Sequence, residues 1–151
     1  MLHVIDCAYR YFAVQERGLE TGVRALGLKG VVKRDDRFLL GLRSDQVAAY
    51  KGMWEFAPAG TMEPGVEPNE LIQRELQEET GLRSTREPTS LAVIFDSVLS
   101  CWELVFELGA EPREPTPRPG EYDRLQWSRS DEFPSTMSPI ARQIGKLLGL
   151  S

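Results

Sequence analysis

Glu75, Glu78 and Glu79 fall within five positions in the run Arg74-Glu75-Leu76-Gln77-Glu78-Glu79-Thr80-Gly81-Leu82, a segment that reads as one helix stopped by a glycine. At about 100° per residue, Leu71, Ile72 and Leu76 span an apolar arc roughly 140° wide, the stripe a helix turns toward a core. Glu75 and Glu79 point into that arc and Glu78 lies just beyond its edge. Carboxylates turned inward lose hydration and have to be paired or coordinated. Three anions this close also raise one another's pKa values unless positive charge lies among them. A divalent cation meets both needs. Oxygen ligands with no His or Cys nearby suit Mg2+ or Mn2+ and argue against zinc. The plain alternative is a Glu-rich surface helix, but that would turn its carboxylates away from the apolar arc.

The surrounding residues punctuate this helix. Pro68 suits the first turn, where its missing N–H costs little, and Glu70 places negative charge at the positive end of the helix dipole. Gly81 can take the left-handed conformation that closes a helix. Upstream, Ala59-Gly60 and Pro64-Gly65 mark a loop that doubles back. Gly60 lets a backbone carbonyl approach a bound ion with no Cβ in the way.

These residues resemble the signature of the Nudix hydrolase family, G-x(5)-E-x(7)-R-E-U-x-E-E-x-G-U, with U a bulky aliphatic residue. Gly60 matches the first glycine, and residues 74–82 match every fixed position of the second half. The pattern's first glutamate falls on Val66, with Glu67 one step late and Glu63 three steps early. In the family that glutamate supports the metal-binding cluster, so Val66 bears on catalytic rate more than on metal binding. The resemblance implies a Nudix-type αβα sandwich with a central mixed β-sheet over residues 26–148. It also implies Mg2+ held by Glu75, Glu78, Glu79 and the Gly60 carbonyl, with Arg74 orienting the cluster. An i,i+4 ion pair with Glu78 is a simpler account of Arg74.

A further carboxylate comes from the loop 110–121, stiffened by Pro112, Pro115, Pro117 and Pro119. In relatives, a glutamate about six residues ahead of a strand-ending tryptophan serves as metal ligand or base, and Glu121 precedes Trp127 by that spacing. A solvated loop glutamate is an equal alternative, and Asp123 is a weaker competitor. For the substrate, Arg43 ends a strand where family members often place a cation that meets phosphates, although a surface arginine is the default. Trp54 and Phe56 can stack on a base, yet aromatic residues beside Met53 on a strand are more often core. Lys51 is compatible with a phosphate contact and nothing more.

The activity implied is metal-dependent hydrolysis of the pyrophosphate linkage of a nucleoside diphosphate joined to another group. The segment WEFAPAG is similar to both the nucleoside-triphosphate and the ADP-sugar branches of the family, with Ala57 as an apparent insertion. Asp96 and Ser97 stand where ADP-ribose enzymes tend to carry a proline, so the substrate class stays open between a nucleoside triphosphate and an NDP-sugar or ADP-ribose. A nucleotide sensor without catalysis is the alternative that Val66 favours. An isopentenyl-diphosphate isomerase-like enzyme needs a catalytic cysteine, for which Cys101 has no accompanying motif.

With 151 residues, 41% of them hydrophobic and 27% charged, the chain reads as one compact domain, residues 1–151. Its net charge of −5 disfavours stable nucleic-acid binding. Cys7 and Cys101, with no CxxC spacing, read as two buried strand residues in a reducing compartment. Asp6 and Arg10 interrupt any signal-like core and no segment reaches the ~20 apolar residues of a membrane helix, so the expected location is the cytoplasm. His3 reads as a solvated terminal side chain. Strands are expected at 26–33 and 38–42, joined at Asp35-Asp36, and at 54–57, 91–95, 101–108 and 122–127. Ser138, Pro139, Ile140, Ile144, Leu147, Leu148 and Gly149 outline a final helix. The first 25 residues are extra to the core. Their spacing of Tyr9, Tyr11 and Phe12 suggests a strand or hairpin suited to a homodimer interface.

Overall fold

The computed structural model describes residues 3–150. Its elements are α1 (Tyr9–Ala13) with a 3-10 turn (Val14–Arg17), β1 (Leu26–Arg34), β2 (Arg37–Arg43), β3 (Trp54–Phe56), β4 (Ala59–Thr61), α2 (Pro68–Thr80), β5 (Thr89–Asp96), β6 (Cys101–Leu108), β7 (Tyr122–Arg129), a 3-10 turn (Ser130–Glu132) and α3 (Pro139–Leu147).

Aliphatic residues dominate β1 and β2, and Asp35-Asp36 joins them in a two-residue hairpin with Asp35 at φ 54°. The remaining strands grow outward from this hairpin. β1 pairs antiparallel with β4 and parallel with β6, whose other edge carries β5. β2 pairs with β7 along one edge. On its other edge β2 changes partner, meeting β1 only at Lys33 and Arg34 and then β3 from Leu40 through Leu42. Side chains of β1 and β3 meet in the wedge this leaves.

The mixed sheet is covered on both faces, which makes the expected αβα sandwich. On one face Leu71, Ile72 and Leu76 of α2 pack with Leu28, Val32, Leu39, Leu104, Phe106 and Leu108. On the other, Ile140, Ala141 and Ile144 of α3 pack with Val31, Leu40, Trp54, Phe56 and Val105. Each such fully buried aliphatic side chain contributes roughly 1.5–3 kcal/mol. Pro68 begins α2 and Gly81 ends it at φ 71°, while the Ser138 hydroxyl accepts from the Ala141 N–H at 3.2 Å to cap α3.

Three expectations are corrected. The N-terminal segment forms no strand among the described residues. Tyr9 and Phe12, which suggest strand alternation, are equally i,i+3 neighbours, and in α1 their ring centroids are 6.0 Å apart. Cys7 is exposed just before that helix, and only Cys101 is buried. The loop around Gly60 contains a strand, β4, because its backbone is drawn onto the edge of β1.

Candidate active site

Helix α2 distributes its carboxylates by direction. Glu79 is 4% exposed, Glu75 is half-buried and Glu78 is exposed. Buried Glu79 accepts a hydrogen bond from the Ala59 N–H at 3.0 Å. Burial nevertheless pushes its carboxyl up to about 8; the Ala59 bond opposes this, and nearby Glu121, Glu75 and Glu55 add to it. Burial also raises Glu75, with Glu78 adding to the effect and Arg74 opposing it. Gly60 lies against Glu75, and a Cβ there would come within 2.8 Å of Glu75 Cγ. Only glycine leaves Glu75 in place.

Arg74 does not simply pair along the helix. Its Nε is 4.0 Å from Glu78 Oε1, while its Nη2 forms a close ion pair with Glu63. Glu63, three residues before the position where the pattern has its glutamate, is thus the carboxylate beside Arg74, and Val66 packs on the core cluster beneath α2. The turn at Gly65, φ 75°, brings Glu63 back toward the helix. On the other side of the cluster, Arg118 Nη1 is 3.3 Å from Glu78 Oε2.

The second half of the site lies in the wedge between β1 and β3. Glu55, 1% exposed, binds Lys29 Nζ at 2.9 Å and Arg43 Nη1 at 3.2 Å, and accepts from the Tyr122 hydroxyl at 3.3 Å. Arg43 also forms a close pair with Glu121. Burial works against the charged form of Arg43, but Glu55, Tyr122, Glu121 and Glu79 together hold its pKa above the usual value. Lys29 follows the same logic: burial is overcome by Glu55 and Glu103. Glu75, Glu79, Gly60, Arg43 and Glu121 are therefore neighbours in space, and Arg43 and Glu121 meet across 78 residues of the chain.

Trp54 and Phe56 are not in this site, correcting their assignment to substrate. They are 5% and 1% exposed and belong to the core under α3, where Phe56 stands edge-on to Phe38 and Phe133. Strand alternation explains this, since turning both aromatics toward α3 turns Glu55 between them toward the site. Lys51 and Asp123 are exposed.

The sequence reading missed Lys29, Glu55, Tyr122, Arg118 and the role of Glu63. A signal was present for two of them: Lys29 in LGLKGVV and Glu55 in WEF are opposite charges inside strands that are otherwise apolar.

The carboxylates of α2 are not drawn to one point. Among the described residues, Asp96, Cys101 and Glu103 instead bring candidate ligand atoms within 4.8 Å of one another. In that group Glu103 Oε2 is buried without a hydrogen-bond partner among the described residues, while the other candidate ligands are partnered. Asp96 accepts from the Tyr50 hydroxyl and from the N–H groups of Val98 and Leu99. Burial, with Glu103 and Asp96 nearby, pushes the Cys101 thiol up to about 12, so it donates toward Glu103 rather than acting as a thiolate. The α2 set is the better fit for a hard divalent cation. It offers oxygen alone, whereas the other group includes a thiol held in its protonated form, and Gly60 leaves beside Glu75 a cradle that a Cβ would fill, as Gly27 does beside Glu103.

The NUDIX domain family model matches residues 23–148. A MutT NUDIX hydrolase from Burkholderia pseudomallei superposes with a TM-score of 0.67 at 26% identity, covering 83% of this chain and 98% of that one. A NUDIX hydrolase from Nitrosomonas europaea gives 0.68 at 20% identity over 80% of this chain and 66% of that one. A bifunctional NMN adenylyltransferase/ADP ribose pyrophosphatase from Francisella tularensis gives 0.69 at 19% identity, covering 92% of this chain and 44% of that one. No curated protein matches the sequence. Among the described residues no helix is long and apolar enough to cross a membrane. The helix motif, the sandwich that holds it and a family match spanning most of the chain agree, and the protein belongs to the Nudix family as a Nudix hydrolase.

Proposed function

We propose that the protein hydrolyses the pyrophosphate linkage of a nucleoside diphosphate joined to another group, a nucleoside triphosphate or an NDP-sugar or ADP-ribose type substrate, with Mg2+ or Mn2+. The observation that carries this reading is the pairing of buried Glu79 with half-buried Glu75 beside the Gly60 cradle. Glu75, Glu78, Glu79 and the Gly60 carbonyl would hold the cation. When bound, it would neutralise phosphoryl oxygens and lower the pKa of a coordinated water. Arg74, clamped by Glu63, holds the exposed side of the helix in register with the cluster. Arg43 offers the cation that meets substrate phosphates, and its Nε is buried with no hydrogen-bond partner among the described residues. Glu121 and Glu78 are the candidates to take the proton from the attacking water, each beside the cluster and each now paired with an arginine.

The sensor reading rested on Val66, and the Glu63–Arg74 pair weakens it because that arginine still has its carboxylate. The isomerase reading is weakened by the raised pKa of Cys101 and its contact with Glu103. Phosphate-product release over nucleoside triphosphates, ADP-ribose, NDP-sugars and dinucleoside polyphosphates, with Mg2+ and then with chelator, tests the proposal. Turnover on one class that chelator abolishes is the expected result. No turnover on any of them, with nucleotide binding retained, would promote the sensor.

A further inference from the structure

The turn Arg118-Pro119-Gly120-Glu121 sets two charged side chains beside α2. The Glu121 N–H donates to the Arg118 carbonyl at 3.2 Å, Pro119 follows Arg118, and Gly120 takes φ 87°, the arrangement of a type II turn. The segment leading into it is bonded to the end of α2, with the Thr116 N–H donating to the Thr80 carbonyl at 2.8 Å and the Arg118 N–H to the Glu79 carbonyl at 2.9 Å. Those carbonyls lack partners within the helix, so they hold the loop firmly. Pro117 and Pro119 restrict the backbone on either side of Arg118.

Arg118 therefore has a fixed backbone and a free side chain. That side chain is 53% exposed, and among the described residues its one polar contact is Glu78. Its charge also reaches Glu75, where it opposes the burial and the Glu78 repulsion that raise that carboxyl. Arg43, by contrast, is 13% exposed and locked between Glu55 and Glu121. A polyanionic substrate approaching the cluster on this acidic chain needs a cation on the open side, and Arg118 provides one.

We propose that Arg118 exchanges partners: it neutralises Glu78 while the cluster lacks its cation, and it grips a substrate phosphate once Glu78 serves the cation. The exchange rests on the metal assignment made under Proposed function. An exposed Arg–Glu pair is weak, so a divalent cation displaces it readily. The freed guanidinium then presents its planar donor fork to phosphate oxygens.

The exchange makes two opposed predictions for one residue, which a merely structural arginine would not. Mn2+ binding without nucleotide, and binding of α,β-methylene-ADP in the presence of Mn2+, are compared for wild type, Arg118→Gln and Arg118→Lys. These substitutions keep the backbone hydrogen bonds of residues 116 and 118. Arg118→Gln should bind Mn2+ about two- to fivefold tighter and the analogue about tenfold weaker, with Arg118→Lys intermediate for the analogue. Equal Mn2+ affinity in wild type and Arg118→Gln, or unchanged analogue affinity, overturns the exchange while leaving the metal site standing. A wild type that binds no Mn2+ overturns the metal assignment and the exchange with it.

Discussion

Helices α2 and α3 cover opposite faces of one sheet and bury different chemistry. Under α3 the buried residues are Ile140, Ala141, Ile144 and Gly145, and the first three meet apolar side chains. Under α2 the buried set is Leu71, Ile72, Leu76, Glu79 and Thr80, so the same kind of arc contains a carboxylate where α3 has only aliphatic and small residues. A face selected for stability alone would not hold Glu79, which burial penalises and whose neighbours include Glu121, Glu75 and Glu55. The wedge beside α2 continues the pattern through Glu55, Lys29 and Arg43, while the α3 side of the same strands carries Trp54, Phe56 and Leu40. One face therefore stores stability, and the other gives some up to hold charge in a fixed place.

The sharpest test of that contrast is to remove one buried side chain from each face. Glu79→Gln should lower turnover per molecule by about a thousandfold, measured as product release with saturating Mg2+, while the protein stays folded. Ile144→Ala should do the reverse. A fully buried aliphatic reduced to alanine costs about 2–5 kcal/mol, lowering the melting temperature by roughly 5–15 °C. Turnover of the folded fraction should stay within about twofold of wild type. Equal loss of activity in the two variants would erase the division between the faces.

A smaller change should act on the α2 face alone. In Gly60→Ala the new methyl displaces Glu75, so Mn2+ affinity measured by titration should fall about tenfold with little change in thermal stability. Unchanged affinity would remove Gly60 and Glu75 from the ligand set.

The smallest effect concerns pH. The folded-state pKa of Glu79 lies at about 8 against 4.5 for an ordinary glutamate, so between those values the folded protein holds a proton that the unfolded chain releases. That contribution to stability is fully present below about 4.5 and is lost as pH rises through about 8. In chelator, wild type should lose more melting temperature than Glu79→Gln between pH 7 and pH 9, by about 3–6 °C. Parallel curves would mean that Glu79 is ionised in the folded protein without its cation.

Much of the α2 face was legible in the chain itself. Helix periodicity around Leu71, Ile72 and Leu76 predicted which glutamates turn inward, and Pro68 and Gly81 marked the ends. Such features depend on neighbours within a turn or two. The roles of Trp54, Phe56 and Glu55 were harder to read, because alternation says that the aromatics oppose the glutamate but not which side faces the site. Glu63 was visible as a misplaced glutamate, and the return of its loop to Arg74 was not. The aromatics of the N-terminal segment fit two periodicities, and the chain takes the helical one.

The sequence by itself determined the carboxylate helix, the glycine beside it and the family to which they belong, because each is carried by local spacing. The tertiary structure decided that Arg43 sits between Glu55 and Glu121, that Lys29 reaches Glu55, and that Arg118 stands over Glu78. Those contacts join residues far apart along the chain, and they exist only because β2 exchanges β1 for β3 and the proline-rich loop is hydrogen-bonded to the end of α2. Strand pairing and loop docking are set by the packing of the whole domain, which no short window of residues contains.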